Sequence, residues 1–398
     1  MRSRATNMSP MINRIGLPDY EVLEVDDKRS RTLIKVATKR APECPCCGGK
    51  RLHSKGRYER RARHLPAFGV DSEVVVQTRW YRCLDCERHF VPHLPGIRPW
   101  YRHSEPYRER LYEDHHDGIC ASVLARRERI SAPTVSRTYA AFTERKARER
   151  QRQSCPPILG IDEHSLHRNG TFVTTFCDLR RHKVFDVVES RSAREMIGFL
   201  RGLKGRHKVR VVCIDLSNAY RDLIRRWCPN AILVADRFHV VRIAMHHFSE
   251  LAREVAGIRY DRAFLKLFRT GPQKLTPKQK ERLTALFKRY PALQPFYDKM
   301  REICDLLNHK GQSKRSCRHH VRELLRHIDD LKAVGFKQLK TLARTLASWA
   351  EPIAAMWRFR KSNSITEGFH RKMKLIQRRA YGFRNFNNYR LRVIAQCG

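Results

Sequence analysis

Two short apolar runs, each ending in an aspartate, constrain this chain more than any other feature. One is Ile158-Leu159-Gly160-Ile161-Asp162-Glu163, and the other is Val209-Arg210-Val211-Val212-Cys213-Ile214-Asp215. Runs of this length bounded by polar residues read as buried strands. A carboxylate where such a strand ends lies at the rim of a sheet, where ligands and chemistry gather in α/β folds. Two such acids on neighbouring strands, joined by a third from elsewhere, make a site for divalent metal.

The surrounding pattern predicts strands at 158–162, 171–177 and 184–188, a helix at 193–203, a strand at 209–215, a helix at 219–227, a strand at 232–236 and helix from Val240 onward. Three strands followed by alternating helix and strand is the order of a ribonuclease-H-like α/β fold, an analogy of pattern. Residues 240–360 carry no strand signal. Apolar residues recur there at helical spacing, punctuated by Gly271-Pro272, Pro291 and Gly311, so this stretch reads as an all-helical insertion inside the α/β domain.

Ahead of the α/β region, residues 19–37 alternate enough to predict a hairpin turning at Asp26-Asp27-Lys28. Cys44, Cys47, Cys83 and Cys86 then form two Cys-x2-Cys knuckles separated by 35 residues, 48–82. Two knuckles place four thiolates on one tetrahedral zinc, a closed structural site with no open position. With the strand-like run 72–76 between them, they read as a zinc ribbon, and Cys46 competes with Cys47 as the ligand. The remaining cysteines, Cys120, Cys155, Cys177, Cys213, Cys228, Cys304, Cys317 and Cys397, are scattered singly and read as small core or surface residues.

Residues 104–150 are helical in pattern and contain a helix-turn-helix, with one helix at 122–129, a turn at Ile130-Ser131 and a second helix at 132–142. Ser131 suits the N-cap and Pro133 the first turn. In this reading Thr134, Ser136, Arg137 and Thr138 face a DNA groove, while Val135, Tyr139 and Phe142 pack inward. The segment 144–152 reads as a charged linker closed by Pro156-Pro157.

Charge points to the partner. The chain has 82 Lys+Arg against 40 Asp+Glu, a net +42. A balance so far from zero repels itself unless a polyanion neutralises it, and counterion release drives nucleic acid onto such surfaces. No run approaches the roughly 20 apolar residues of a membrane span, and the N-terminus lacks a signal-peptide core. The expectation is a cytoplasmic protein, nucleoid-associated when bound to DNA, with no membrane partner and no small-molecule substrate.

Each candidate acid has a plainer rival reading. Asp162 could simply end a strand, and Asp215, before Leu216-Ser217-Asn218, could be a turn or helix-cap acid. Ser364-Ile365-Thr366-Glu367 reads as a capping box, with the acid in a first turn where the dipole favours it.

The cysteine knuckles, the helix-turn-helix, Gly160-Ile161-Asp162-Glu163, Ile214-Asp215-Leu216-Ser217-Asn218-Ala219-Tyr220, Val234-Ala235-Asp236-Arg237-Phe238-His239-Val240 and Ser362-Asn363 with Glu367-Gly368 occur in order. Together with the closing Arg378-Arg379-Ala380-Tyr381-Gly382-Phe383-Arg384-Asn385-Phe386, they make the chain resemble the ISL-three family of bacterial insertion-sequence transposases. The resemblance covers nearly the whole chain from about residue 40. It implies a DDE recombinase with Asp162, Asp215 and Glu367 as the catalytic triad holding two Mg²⁺ or Mn²⁺ ions, besides the structural Zn²⁺. It also implies Asp236 and His239 as a pair behind the metal ligands, and at least a homodimer on DNA. The chain departs from the family pattern at Phe369-His370, where asparagine is more frequent. Lys374, Arg378, Arg379 and Arg384 are expected to contact phosphates, with Tyr381, Phe383 and Phe386 packing in the core or a turn.

The expected organisation is a zinc-ribbon domain at 1–100, a helix-turn-helix domain at 101–153 and a ribonuclease-H-like catalytic domain at 154–398, with its helical insertion at about 245–360. The expected function is transposition: binding the terminal inverted repeats of an insertion sequence, then metal-dependent strand cleavage and strand transfer. Two rivals differ in class. A non-catalytic DNA-binding regulator would keep every activity in Asp215→Ala, and a structure-selective nuclease of the same fold would cut without joining ends.

Overall fold

The computed structural model describes residues 15–28, 30–67, 69–151, 154–166, 172–189, 193–257, 261–310, 313–359, 362–383 and 385–398. The chain forms two units, one reaching Arg145 and one running from Lys146 to Gly398.

The first unit contains β1 (Tyr20–Lys28), β2 (Arg31–Thr38), β3 (Leu52–Ala67), β4 (Val70–Cys83) and the two-residue β5 (His89–Phe90). The sheet order is β1-β2-β4-β3, with β5 on β4. β1 and β2 are the expected hairpin, but Asp26, Asp27 and Lys28 are still paired, so the turn comes just after them. β2 runs parallel to β4, and β3 pairs antiparallel with β4 along most of its length. One face buries Tyr20, Ile34, Val36, Ala62, Val74 and Val76.

Three helices follow: α1 (Glu105–His116), α2 (Ala121–Arg127) and α3 (Ala132–Gln151). Val135, Tyr139 and Phe142 are buried, as their spacing demands. Tyr139 and Phe142 both stack on Tyr112 of α1, with ring centroids 5.3 Å apart in each pair. In the connection between α2 and α3, buried Glu128 accepts from the Tyr107 hydroxyl at 3.0 Å and from Arg110 at 2.6 Å. Two expectations are corrected here. Thr138 is buried with the apolar stripe and does not face outward. The described part of the segment 144–152 is not a loose linker, because α3 continues through it to Gln151, and residue 152 lies outside the described residues.

The second unit opens with β6 (Ile158–Ser165), β7 (Phe172–Asp178), β8 (Lys183–Val188), α4 (Ala193–Gly202), β9 (Val211–Ile214), α5 (Asn218–Trp227), β10 (Ile232–Ala235) and α6 (Arg237–Ala256). The sheet order is β10-β9-β6-β7-β8. β6, β9 and β10 are mutually parallel, while β7 pairs antiparallel with both β6 and β8. Helices α7 (Arg262–Arg269), α8 (Pro277–Arg289), α9 (Leu293–Asn308), α10 (Lys314–Ala333), α11 (Lys337–Ser348) and α12 (Ala350–Arg358) form the expected helical stretch, before α13 (Ser364–Arg379) and α14 (Phe386–Cys397).

The helical stretch shares the sheet's core. A single apolar cluster runs from Cys155 to Cys397 and takes in Trp349 and Trp357. α12 packs on β10, while α9 and α11 pack on α6. Arg237, at the start of α6, is buried and donates to the carbonyls of Leu307 (3.0 Å), His309 (2.8 Å) and Met356 (3.1 Å). At the other edge α14 lies on β8, where Arg390 grips Asp186 through two bonds of 2.7 and 2.6 Å. The scattered cysteines are buried or part-buried, as expected, and none of the described cysteines is in a disulfide. No helix among the described residues is long and apolar enough to cross a membrane.

Candidate functional site

The four knuckle cysteines meet. Cys44 Sγ lies 3.5 Å from Cys86 Sγ, Cys47 Sγ lies 3.6 Å from Cys83 Sγ, and all four sulfurs fall within 4.8 Å of one another. Four thiolates at about 2.3 Å from one zinc sit about 3.8 Å apart, so the cluster fits that ion. Each knuckle closes with a left-handed residue, Gly48 (φ +70°) after the first pair and Glu87 (φ +58°) after the second. Backbone N–H groups, that of Cys47 foremost, pull the Cys44 thiol down, while its sulfur neighbours hold Cys47 and Cys86 up, as four thiols without a cation among them must share their protons. Cys46 is exposed and outside the cluster, which resolves the choice between it and Cys47. The long gap between the knuckles is the β3–β4 hairpin.

In the second unit the sheet register lines up three acids. Gly160 of β6 and Val234 of β10 are both paired with Cys213 of β9. Two residues on from these stand Asp162, within β6, and Asp215 and Asp236, just past the ends of β9 and β10, close enough for their charges to act on one another. Asp162 does not end its strand, since β6 runs on to Ser165 paired with β7; it lies just past the last residue that β6 pairs with β9. Asp215 does follow its strand. The N-cap of α5 is Ser217, so Asp215 is not the helix cap.

The row is crowded and poorly hydrated. Burial, then the charges of Asp215 and Asp236, raise the Asp162 carboxyl to about 6 against the pull of the Glu163 N–H and His239. Burial also raises Asp215, with Asp236 adding to it and His239 opposing. Asp215 Oδ1 is buried without a hydrogen-bond partner. Desolvated carboxylates held side by side favour a cation among them, and oxygen donors suit Mg²⁺ or Mn²⁺. Asp236 is fully engaged: Oδ2 accepts from His239 Nδ1 at 2.7 Å and Oδ1 from the backbone N–H of Asn363 at 3.1 Å. Burial alone would lower His239, but its bond to Asp236 and the charges of Asp236 and Asp162 leave it raised.

Asn363 is the residue that brings the end of the chain to this row. It is wholly buried, its Nδ2 donates to the Ile161 carbonyl at 2.8 Å, and its own carbonyl accepts from the Glu367 N–H at 3.0 Å. Its Oδ1 lies only 2.7 Å from where a Cβ on Gly160 would stand, so the glycine is needed for this approach. Asn363 is also the N-cap of α13, without a side-chain capping bond, and Glu367 is the helix's fourth residue. The capping-box reading of Ser364 and Glu367 is thereby overturned. Glu367 is half-buried, and its carboxylate does not close with those of Asp162 and Asp215 to within 4.8 Å as a set; among the described residues only the four cysteines do so. Nothing in the sequence around Asn363 announces this task; the glycine inside strand β6 is the available signal of a close approach.

A buried chain of polar groups lies behind Asp162. Tyr389 OH is 3.0 Å from His164 Nε2, His164 Nδ1 is 3.3 Å from Thr175 Oγ1, and Thr175 Oγ1 is 3.1 Å from His370 Nε2. His370 Nδ1 stands 3.8 Å from Asp162 Oδ2. Burial, then the nearby His164 and Lys374, lower His370 to about 3, so at neutral pH this contact is no salt bridge. Burial, with Lys374, lowers His164 to about 4.

The residues expected to touch DNA lie at the surface. In α3, Ser136 and Arg137 are exposed, and Thr134 is half-buried and accepts from Arg137 at 3.4 Å. Lys374, Arg378 and Arg379 are exposed on α13, while Arg384 lies outside the described residues. Phe383 and Phe386 pack on Tyr389 as expected. Tyr381 does not pack: it is 97% exposed. Beside Asp215 a cavity of about 730 Å³ opens, lined by Phe238, His239, Arg242, His246 and Arg269 among others.

Residues 159–393, more than half of the chain, match the ISL3 family model described as a transposase. Residues 40–86 match the zinc finger of the transposases of IS204, IS1001, IS1096 and IS1165. The transposase for insertion sequence element IS1001 of Bordetella parapertussis is 24% identical over 392 residues, covering 93% of this chain and 92% of that one. A zinc ribbon followed by a mixed α/β body, with both segments matched in order, leaves one conclusion: the chain belongs to the ISL3 family of transposases.

Proposed function

We propose that this transposase binds the terminal inverted repeats of its insertion sequence, cuts one DNA strand there and joins the freed 3′ end to target DNA. The observation that carries the reading is the row of Asp162 on β6 with Asp215 and Asp236 just past the ends of the adjacent parallel strands, with Asp215 Oδ1 buried and unpartnered. The strand order β10-β9-β6-β7-β8, antiparallel on one side only, supports a ribonuclease-H-like core. Asp162, Asp215 and Glu367 are the residues that would hold two Mg²⁺ or Mn²⁺ ions. Such a pair, when bound, neutralises charge at phosphorus and stabilises the attacking and leaving oxygens.

The chain's own residues supply the placement. Asp236 holds His239 by its Nδ1, which fixes the imidazole's orientation beside Asp162 and Asp215. Asn363 ties the first turn of α13, and so Glu367, to Ile161 and Asp236. Hydrolysis of one strand leaves a 3′-hydroxyl, which then attacks a phosphodiester of the target in a transesterification. Catalysis of both steps is mainly positioning and charge stabilisation.

Helices α2 and α3 form a helix-turn-helix in this reading, with Thr134, Ser136 and Arg137 towards DNA bases. Lys374, Arg378, Arg379 and Arg384 would track phosphates, and the net +42 suits the polyanion. Two element ends call for at least a dimer on DNA. The test is incubation of the full chain with labelled element-end DNA, with Mg²⁺ or with chelator. Nicking and strand transfer are expected with Mg²⁺ only, and both should vanish in Asp215→Ala while end binding persists. Absence of nicking and transfer with Mg²⁺ on a cognate end refutes the enzymatic reading.

A further inference from the structure

His370 has a geometry that packing alone does not explain. It sits on α13 one turn beyond Glu367, with its ring nearly buried against His164 at a centroid distance of 4.4 Å. Nε2 is tied to Thr175 Oγ1 at 3.1 Å. The Thr175 hydroxyl has one proton to give; with that proton on Met373 Sδ at 3.9 Å, its oxygen accepts from His370 Nε2–H. In that tautomer Nδ1 presents a lone pair. It makes no hydrogen bond, and Asp162 Oδ2 stands 3.8 Å from it, with the Lys374 charge also close.

Two acceptors facing each other in a nearly dry place repel unless a cation or a proton stands between them. The separation is too long for a hydrogen bond. It falls between the spacings of two ligands on one octahedral ion: donors about 2.1–2.2 Å from the metal lie about 3.0 Å apart at a right angle and about 4.3 Å apart when opposite, so a shift of about half an ångström completes either. The imidazole is also held in the way a metal-bound histidine usually is, with its second nitrogen fixed by a hydrogen bond. His164 cannot take this role, since Thr175 and Tyr389 occupy both its nitrogens.

We propose that His370 is a nitrogen ligand of a divalent cation shared with Asp162, and that the site therefore takes Mn²⁺ more tightly than Mg²⁺. The inference rests on the proposed reading of Asp162 as a metal ligand. Imidazole adds a softer donor to an oxygen set, which raises affinity for a first-row transition ion far more than for Mg²⁺. Phe369-His370 is also where this chain departs from the pattern of the family it resembles, so the nitrogen donor would be a property of this chain.

The experiment uses the full-length, zinc-loaded protein and Mn²⁺ alone as the probe. Bound Mn²⁺ is counted by loss of the free-ion electron paramagnetic resonance signal, and nitrogen ligation is read from electron spin-echo modulation. A ¹⁴N modulation is expected that changes on ¹⁵N-histidine labelling, persists in His239→Ala and disappears in His370→Ala. Mn²⁺ affinity should fall at least about tenfold in His370→Ala, with little change for Mg²⁺. His370→Gln, which keeps a donor for Thr175, serves if the alanine variant misfolds. Asp162-dependent Mn²⁺ binding without histidine modulation, or modulation lost only in His239→Ala, overturns the inference and leaves the wider reading standing. Mn²⁺ binding that Asp162→Ala does not weaken overturns both.

Discussion

Asp162 carries the clearest conflict between stability and function. Its carboxyl is held near 6 in the fold, against an ordinary 3.8, chiefly by burial and then by Asp215 and Asp236. Between those two values the folded state binds the extra proton, so stability falls as pH rises through the window. Below about 3.8 the penalty is absent, and above about 6 it is complete, of order 3 kcal/mol. Asp162→Asn keeps an acceptor for the Glu163 N–H and removes the charge. We expect it to raise the melting temperature of the second unit by several degrees near pH 8, with the gain shrinking towards zero near pH 4. Differential scanning calorimetry across pH reads this directly, and a variant less stable than wild type at pH 8 would show that the ionised carboxylate is not under strain. Sequence pattern was enough to single out Asp162 and Asp215, because apolar runs that stop at acids are visible in one dimension. It could not show Asp236 as the third member of the same row, since that depends on the pairing register of β9 with both neighbours.

At the scale of elements, the long helical stretch has to return the chain to the sheet with Glu367 in register. Arg237 makes that return definite. One guanidinium, at the first residue of α6, bonds carbonyls just within or beyond α9 and in α12. Lysine offers a point charge and cannot fork to three acceptors. Arg237→Lys should therefore lower stability by about 2–4 kcal/mol, since buried carbonyls lose charged donors. Limited proteolysis should then cut within 262–358 faster than in wild type, while a pattern identical to wild type would mean that apolar packing alone seats the helices. The strands and helices of this unit were legible because each carries its apolar residues at one clear period. β3 was not. Its sequence Arg57-Tyr58-Glu59-Arg60-Arg61 looks like a solvated charged run, and only pairing with the apolar β4 makes it a strand. The linker expected at 144–152 failed for the converse reason: charge density suggested a loop, while nothing in the segment breaks a helix.

For the whole molecule, the apolar clusters divide without overlap. The main core lies between Cys155 and Cys397, and the smaller ones are made of residues no later than Phe142. Two units with separate cores should unfold as separate cooperative transitions. The zinc ribbon contributes a cluster of only Cys44, Cys83 and Phe90 as buried residues, too little apolar surface to hold its knuckles without metal. Cys83 is the ligand with no exposure, at the end of β4. Cys83→Ser should thus release zinc and broaden or abolish the calorimetric transition of the first unit, with the transition of the second unit shifted by no more than a degree or so. Metal analysis and calorimetry on the same sample separate the outcomes. A single transition that moves as one with zinc loss would mean that the two units are thermodynamically one body. If the transitions are separate and element-end binding is lost with the first, the zinc unit takes part in holding DNA while the acid row stands folded without it.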